Sequence, residues 1–187
     1  MTPPLNSVFI ANRGEIALRI IRACKELGVK SILGYSEGDK DSLPVRLADQ
    51  AVCIGPAPVS ESYNSIEAVG SAAKAFGADA IHPGFGFLSE KPDSVEAVEE
   101  EEIGFVGPAA KIIRSMGDKI EAKKIARRAG VPTVPGSDGA ISNHDEALAV
   151  AKEVGFPLLI KASAGGGGRG MRVVESDNTL ATDLEEI

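Results

Sequence analysis

The residues best suited to chemistry lie between 161 and 172, where the chain reads Lys-Ala-Ser-Ala-Gly-Gly-Gly-Gly-Arg-Gly-Met-Arg. The four consecutive glycines are Gly165, Gly166, Gly167 and Gly168. Glycine loses more backbone entropy on ordering than any other residue, so an ordered role here requires bare backbone. Glycine N–H groups can approach phosphate oxygens closely, and Lys161 and Arg169 supply positive charge. The pattern indicates a cradle for a polyphosphate, and a flexible hairpin turn is the alternative.

Two other segments directly follow predicted strands. They are expected at the carboxyl ends of the strands, where ligands of parallel sheets bind. Residues 12–15 read Asn-Arg-Gly-Glu, and residues 82–90 read His-Pro-Gly-Phe-Gly-Phe-Leu-Ser-Glu. The first segment has one glycine, whereas a G-x-G-x-x-G dinucleotide motif needs three, so the sequence does not predict a nicotinamide enzyme.

The second segment has a glycine on each side of an aromatic ring. Gly84 and Gly86 flank Phe85, which predicts a sharp turn with a ring that faces a pocket. His82 at the end of the preceding strand is explained more readily by a hydrogen-bonding role than by catalysis.

Alternating strands and helices must position these segments. Short apolar runs predict strands, and apolar residues at helical spacing predict the helices between them. The predicted elements are strands at 7–11, 31–35, 51–54, 78–82 and 104–106 and helices at 15–27, 65–76 and 94–102. This alternation predicts an α/β fold with a parallel sheet and right-handed crossovers.

The organisation changes after Gly107-Pro108. Helices are predicted at 109–115 and 118–129, and the proline-containing segment 130–136 predicts an extended linker. Beyond it the pattern predicts a helix at 144–154, strands at 157–161 and 171–175, and a helix from about 178, with Asp177 as its N-cap. Because this last helix has no terminating glycine or proline, we expect the second unit to be incomplete.

Composition excludes several classes of protein. The 187-residue chain has a net charge of -7 and 43% hydrophobic residues, which argues against nucleic acid as a general partner and fits a globular protein. No apolar stretch is long enough to span a bilayer, and the start lacks the features of a secretory signal, so no membrane partner is expected.

The two cysteines indicate a reducing compartment, since they are far apart and suggest neither a disulfide framework nor a zinc site. Cys24 and Cys53 are both predicted to be small core residues. We therefore expect a cytoplasmic protein, with an organelle matrix left open.

The chain from residue 6 to 187 resembles the N-terminal part of biotin carboxylase, the ATP-grasp component of biotin-dependent carboxylases such as acetyl-CoA carboxylase. Three strings carry the resemblance: Ile-Ala-Asn-Arg-Gly-Glu-Ile-Ala-Leu-Arg at 10–19, His-Pro-Gly-Phe-Gly-Phe-Leu-Ser-Glu at 82–90, and the glycine-rich segment at 161–172. The resemblance implies a Rossmann-like N-terminal domain at 1–115, a connecting helix and linker at 116–134, and a partial ATP-grasp lid, or B domain, at 135–187.

The resemblance also implies the reaction and its participants. ATP would activate bicarbonate as carboxyphosphate, which gives carbon dioxide to N1 of biotin on a biotin carboxyl carrier protein. A carboxyltransferase would then pass the carboxyl group to its final acceptor, as acetyl-CoA carboxylase does in fatty acid biosynthesis. The residues do not identify that acceptor, and acetyl-CoA, propionyl-CoA and pyruvate all remain open.

Site residues follow from the same match. The residues implied for ATP binding are Lys119, Lys161, Gly165, Gly166, Gly167, Gly168, Arg169 and Met171. The residues implied for the biotin and bicarbonate region are His82, Gly84, Phe85 and Gly86. The residues implied for a homodimer contact are Arg19, Arg22 and Glu26. The chain departs from the family at Phe85, where tyrosine is usual, and at Lys91, where asparagine is usual.

In that family the adenine-binding segment, the magnesium-binding acids, the bicarbonate-binding arginine and the general base lie in a C-terminal domain. We therefore expect no metal ligands in this chain, weak ATP binding at most, and no carboxylation by residues 1–187 alone. Two alternatives remain at this point: another ATP-grasp ligase, such as a carbamoyl phosphate synthetase, and a non-catalytic module for nucleotide binding or assembly.

Overall fold

The computed structural model of the chain describes residues 5–137, 139–161 and 170–185, and it divides into two compact units after Gly117. The elements of the first unit are β1 (Ser7–Ile10), α1 (Gly14–Leu27), β2 (Lys30–Ser36), α2 (Leu43–Leu47), β3 (Gln50–Gly55), α3 (Ile66–Ala75), β4 (Ala80–His82), α4 (Pro92–Glu100), β5 (Gly104–Phe105) and α5 (Ala110–Gly117). Those of the second are α6 (Lys119–Arg128), α7 (His144–Val154), β6 (Leu158–Lys161), β7 (Met171–Val174) and α8 (Asp177–Glu185).

The first unit is built on a five-stranded sheet with the order β3-β2-β1-β4-β5. All four neighbouring strand pairs are parallel, which confirms the α/β fold with a parallel sheet expected from the sequence. The central strand β1 is buried along its whole length, as a strand covered by helices on both faces must be.

Side chains of adjacent strand residues enter two separate cores. Phe9 and Ile32 pack with α3 and α4 residues on one face, whereas Val8, Ile10 and Leu33 pack with α1 residues on the other. This alternation follows from the two-residue period of a strand. The three apolar residues of β1 are thus committed to the cores, so we look for the chemistry of this sheet in the loops beyond its strands.

Helix α1 packs on the β1 sheet through Ala17, Ile20, Ile21 and Cys24. It ends at Gly28, whose backbone is left-handed with φ of 69° and whose N–H bonds to carbonyls of the last turn. Glycine adopts this conformation without steric cost, so the helix stops where the sequence predicts.

Two serine–aspartate pairs hold the amino ends of the strands. Asp79, just before β4, accepts bonds from the backbone N–H and the hydroxyl of Ser7 on neighbouring β1, at 2.8 and 3.1 Å. Asp49, just before β3, accepts the same two bonds from Ser31 on neighbouring β2, at 2.8 and 2.7 Å. These two pairs, which we call the amino-edge clamps, fix the edge of the sheet opposite to the candidate functional loops.

The second unit has a small core formed by Ala147, Ala151, Val174 and Leu180. Strands β6 and β7 are antiparallel, with Lys161 opposite Met171. Two hydrogen bonds hold the start of helix α7. The side chain of the N-cap Asn143 accepts from Glu146 N–H, and the Glu146 carboxylate accepts from the N–H of Ser142, the residue before the N-cap.

The structure corrects two details of the sequence analysis. Cys24 is buried as expected, but Cys53 is exposed, because it lies on β3 at one edge of the sheet. Helix α8 begins at Asp177 itself, one position before the predicted start, so this residue is not an N-cap.

Within the described ranges, no helix combines the length and apolar character needed to cross a membrane. The same residues include no group of three or more histidine, cysteine, aspartate or glutamate side chains that could hold a metal ion.

Candidate functional site

The turn after β4 lies at the carboxyl edge of the parallel sheet, where ligands of such sheets bind. Three of its residues have left-handed backbones: Gly84 with φ of 69°, Gly86 with φ of 68° and Phe87 with φ of 48°. The last is unusual for a residue with a side chain, and strained backbone of this kind persists only where its surroundings hold it. The ring of Phe85 at the tip of the turn is 74% exposed.

Asn12 holds this turn from the end of β1. Its side chain is 2% exposed, and its Nδ2 group donates to the carbonyl oxygens of Pro83 at 2.7 Å and Phe85 at 2.8 Å. Its Oδ1 accepts from the backbone N–H of Arg13 at 2.9 Å. The side-chain amide is therefore fully engaged on both sides.

Gly84 packs directly against that amide. A Cβ at this position would lie 2.8 Å from Nδ2 of Asn12 and 2.7 Å from Cγ2 of Ile16 on α1. Both distances are shorter than a real Cβ atom tolerates. The turn therefore requires glycine here because there is no room for a Cβ atom and because the backbone has a positive φ.

A second set of contacts supports the turn at Phe87, through the ring of Tyr63. The buried Tyr63 hydroxyl donates to Oδ2 of Asp39 at 2.8 Å and accepts from the backbone N–H of Ser36 at 3.0 Å. Asp39 also pairs with Arg13 at 2.8 Å. The Tyr63 ring stacks on Phe87, with centroids 5.5 Å apart, so the strained residue lies on a ring that is itself fixed at its hydroxyl.

His82 is half-buried at the end of β4, and its Nδ1 accepts from the backbone N–H of Gly84 at 3.1 Å. Burial lowers the pKa of the imidazole below its ordinary value. At neutral pH the residue is therefore uncharged, with its proton on Nε2, and acts as an acceptor that shapes the turn.

An open apolar groove of about 510 Å³ runs beside His82 and Gly84. Its walls come mainly from α1 and the ends of β1, and include Ile16, Ile20 and Cys24. Burial raises the pKa of the Cys24 thiol, so this cysteine is a neutral wall residue.

The three residues expected at a homodimer contact lie on α1. Arg19, Arg22 and Glu26 are all exposed, and Arg19 also lines the groove. Their spacing of three and four residues places them on one side of the helix.

In the second unit, the β6–β7 hairpin carries the residues expected to bind ATP. Lys161 is exposed and lies directly opposite Met171. The next side chains on the same face, Leu159 and Val173, are also opposite each other, and all three apolar residues are largely exposed. A lysine thus stands at the end of an uncovered apolar surface.

Lys119 is the exposed first residue of α6, after the N-cap Asp118. The remaining predicted phosphate-binding residues, Gly165, Gly166, Gly167, Gly168 and Arg169, lie outside the described residues.

Sequence reasoning identified the turn but missed the residues that hold it. It placed residues 12–15 at the end of the sheet where ligands bind and used them for the family resemblance, but it assigned no individual role to Asn12, Asp39 or Tyr63. The available signal was the position of Asn12 directly after β1, next to β4 in a parallel sheet.

Comparisons with known proteins give a consistent result for both units. A family model described as "Biotin carboxylase, N-terminal domain" matches residues 4–113, and one described as "Carbamoyl-phosphate synthase L chain, ATP binding domain" matches residues 118–186. Biotin carboxylase of Pseudomonas aeruginosa is 57% identical over 177 residues, which are 94% of this chain and 39% of that protein.

Solved structures agree. A biotin carboxylase from Campylobacter jejuni, described as a complex with β,γ-ATP, superposes with a TM-score of 0.92 at 50% identity, over 98% of this chain and 41% of that one. The biotin carboxylase domain dimer of Hydrogenobacter thermophilus 2-oxoglutarate carboxylase, with MgADP, ADP and bicarbonate, gives a TM-score of 0.90 at 47% identity, over 97% and 40%. The chain spans about 40% of the length of these relatives.

Proposed function

The chain belongs to the biotin carboxylase family, and on this premise we propose that it forms the N-terminal part of an enzyme that carboxylates biotin with ATP and bicarbonate. The observation that carries the proposal is the 57% identity to a biotin carboxylase over 94% of the chain, through both units. Because that continuous similarity includes the second unit, a carbamoyl phosphate synthetase or a non-catalytic module is not favoured.

The proposed reaction has two steps. A bicarbonate oxygen attacks the γ-phosphorus of ATP, ADP leaves, and carboxyphosphate forms. Carboxyphosphate then breaks down to carbon dioxide and phosphate, and N1 of biotin gives its proton to the released phosphate and attacks the carbon dioxide. Phosphoryl transfer of this kind depends on positioning and on charge stabilisation more than on covalent catalysis by the protein.

We assign the ATP end of the site to the hairpin of the second unit. The Lys161 ammonium would bind phosphate oxygens, and the exposed surface of Leu159, Met171 and Val173 would pack against the apolar part of the nucleotide. The glycines at 165–168, Arg169 and Lys119 would add phosphate contacts. The structures of relatives described with nucleotides support this assignment.

Magnesium would supply positive charge that stabilises the transferring phosphoryl group. The described residues include no cluster of acids that fits it, and we derive no step of the reaction through the metal.

We assign the biotin and bicarbonate region to the turn at His82, Gly84, Phe85 and Gly86. The exposed Phe85 ring offers an apolar surface to the biotin rings and cannot make the hydroxyl contact that a tyrosine would provide. His82 and the two glycines set the shape of the turn.

The proposed partners follow from the reaction. Biotin would arrive on a biotin carboxyl carrier protein, and a carboxyltransferase would use the product. We propose a homodimer through Arg19, Arg22 and Glu26, which the dimer described for the Hydrogenobacter relative supports. We place the protein in the cytoplasm. We take acetyl-CoA, as in fatty acid biosynthesis, as the first candidate for the final carboxyl acceptor. A 2-oxo acid is the alternative, because the Hydrogenobacter relative is a 2-oxoglutarate carboxylase.

The test joins residues 1–187 to the remaining part of the Pseudomonas aeruginosa enzyme and measures ATP-dependent carboxylation of biotin. We expect activity from the joined enzyme and none from the 187-residue chain. Lys161→Ala should raise the KM for ATP about 10- to 100-fold, since a charged hydrogen bond contributes about 1.5–3 kcal/mol.

Lys152→Ala, at an exposed lysine on α7, is the matched control and should leave the KM for ATP unchanged. An inactive joined enzyme, or equal effects of the two substitutions, would contradict the proposal.

A further inference from the structure

We propose that Asn12 is a positioning residue whose side-chain amide sets the turn 83–87 and thereby the orientation of Phe85. The role of the turn in binding biotin rests on the proposed function. The role of Asn12 in holding the turn rests on the hydrogen bonds alone.

The amide of Asn12 extends the pairing of β1 and β4 beyond the strands. Ile10 is paired with His82, and the backbone N–H of Ala11 donates to the His82 carbonyl at 3.0 Å. Where the next residue pair would continue the ladder, the chain after β4 turns away. The Nδ2 of Asn12 then supplies the donors for Pro83 and Phe85 that backbone N–H groups would otherwise provide.

Both hydrogens of Nδ2 are needed at this point. They reach the carbonyl oxygens of the residues before and after Gly84, so the amide spans the left-handed residue and fixes the Pro83–Gly84 and Phe85–Gly86 peptides. The bond from Arg13 N–H to Oδ1 sets which end of the amide faces the turn. No other uncharged side chain of this length offers two donors and one acceptor in that arrangement.

The hydrogen bonds of Asn12 can be tested separately from its packing, because its side chain is buried. The side chain is 2% exposed, so water cannot replace the lost donors, and Gly84 leaves no room for the turn to move toward it. An apolar residue of the same shape would preserve packing and remove only the hydrogen bonds. Leucine is that residue.

The first measurement uses the 187-residue chain with Asn12→Leu. The chain has two histidines, His82 and His144, whose imidazole ¹⁵N shifts report the tautomer of each. In the unsubstituted chain we expect His82 in the Nε2–H form, because its Nδ1 accepts from Gly84 N–H. In the variant we expect a mixture of tautomers at His82 and amide exchange at Gly84 that is at least about tenfold faster.

His144, in the second unit, is the internal control and should not change. Ser31→Ala removes the hydroxyl bonds of an amino-edge clamp and is the matched variant that lowers stability without touching the turn. If Asn12→Leu does not fold, Asn12→Asp replaces both donors with an acceptor of the same shape and should give the same result. A single His82 tautomer and unchanged Gly84 exchange in the folded variant would overturn the proposal.

The second measurement uses the joined enzyme described above. Asn12→Leu should lower kcat/KM for biotin by about 10- to 100-fold, since small misplacements of a binding group have effects of that size, and should leave the KM for ATP within about twofold. Equal losses for both substrates would show a general structural role instead. Inactivity of the unsubstituted joined enzyme would count against the proposed function and not against the result of the first measurement.

Discussion

Asp49 and Asp79 are carboxylates that each bind the start of a neighbouring strand. Bonds from the backbone N–H of Ser31 lower the pKa of Asp49, and bonds from the backbone N–H of Asn6 lower the pKa of Asp79. Each group therefore stabilises the fold in its charged form.

The two clamps predict how stability depends on acid. Because the folded pKa of each carboxyl is below the unfolded value of about 3.9, their contribution is complete above that pH and is lost as pH falls below it. Urea unfolding at pH 7, 4 and 3 should show this decline, and Asp49→Asn should make it shallower. An Asp49→Asn variant with an unchanged pH profile would contradict the prediction.

The hydroxyl of Tyr63 gives a second prediction for a single residue. Tyr63→Phe keeps the ring on Phe87 but leaves the buried N–H of Ser36 without its acceptor. We expect a loss of about 1–3 kcal/mol in the free energy of unfolding. The other tyrosine, Tyr35, is the control: its phenylalanine variant should cost less, and equal losses would rule out a special role for the Tyr63 hydroxyl.

At the scale of one element, the turn after β4 contains two glycines that are needed for different reasons. Both have a positive φ, but only one of them also lacks room for a side chain. Gly84 and Gly86 have nearly the same φ, 69° and 68°, but a Cβ would collide with Asn12 and Ile16 only at Gly84. A Cβ at Gly86 would meet no atom within 4 Å. Alanine at Gly86 therefore adds a cost of backbone angle alone, whereas alanine at Gly84 adds a steric overlap as well.

Gly86→Ala should destabilise the chain by about 1–3 kcal/mol, because the backbone there, with φ of 68° and ψ of -163°, is one that residues with a side chain rarely adopt. Gly84→Ala should cost about 1–3 kcal/mol more, because the added methyl group overpacks the contact with Asn12. Chemical denaturation of both variants gives the difference. Equal values would mean that Asn12 can move away from the turn.

The strands and helices were largely predictable because each depends on its own residues. Apolar runs gave the positions of β1 to β5, and Gly28 gave the end of α1, since a left-handed glycine commonly ends a helix. The contacts that hold the turn could not be predicted, because Asn12, Asp39 and Tyr63 come from three separate segments. The exposure of Cys53 was missed because its strand lies at the edge of the sheet, and strand order is a property of the whole fold.

At the scale of the whole molecule, the two units have very different cores. The first unit buries residues on both faces of a five-stranded sheet, whereas the core of the second has four buried residues among those that the structure describes. We expect a chain that ends at Gly117 to fold by itself and unfold cooperatively, since it contains a complete core. Circular dichroism during thermal unfolding tests this, and a non-cooperative transition would contradict it.

The sequence also predicted the family, which the comparisons confirm, and it named site residues that stay predictions. Short strings at 10–19, 82–90 and 161–172 identified the family, because several separate motifs in a fixed order are more specific than a single glycine motif. The apolar surface of Leu159 and Val173 beside Lys161 was not predicted, since an alternating strand pattern does not say which face of a hairpin stays uncovered.

The unexpected exposure of Cys53 gives this chain a natural attachment point for a reporter. Its only other cysteine, Cys24, is buried, and burial raises the pKa of that thiol, so a maleimide dye or spin label should react at Cys53 first. A second label introduced on the β6–β7 hairpin would then allow the separation of the two units to be followed spectroscopically as nucleotide is added.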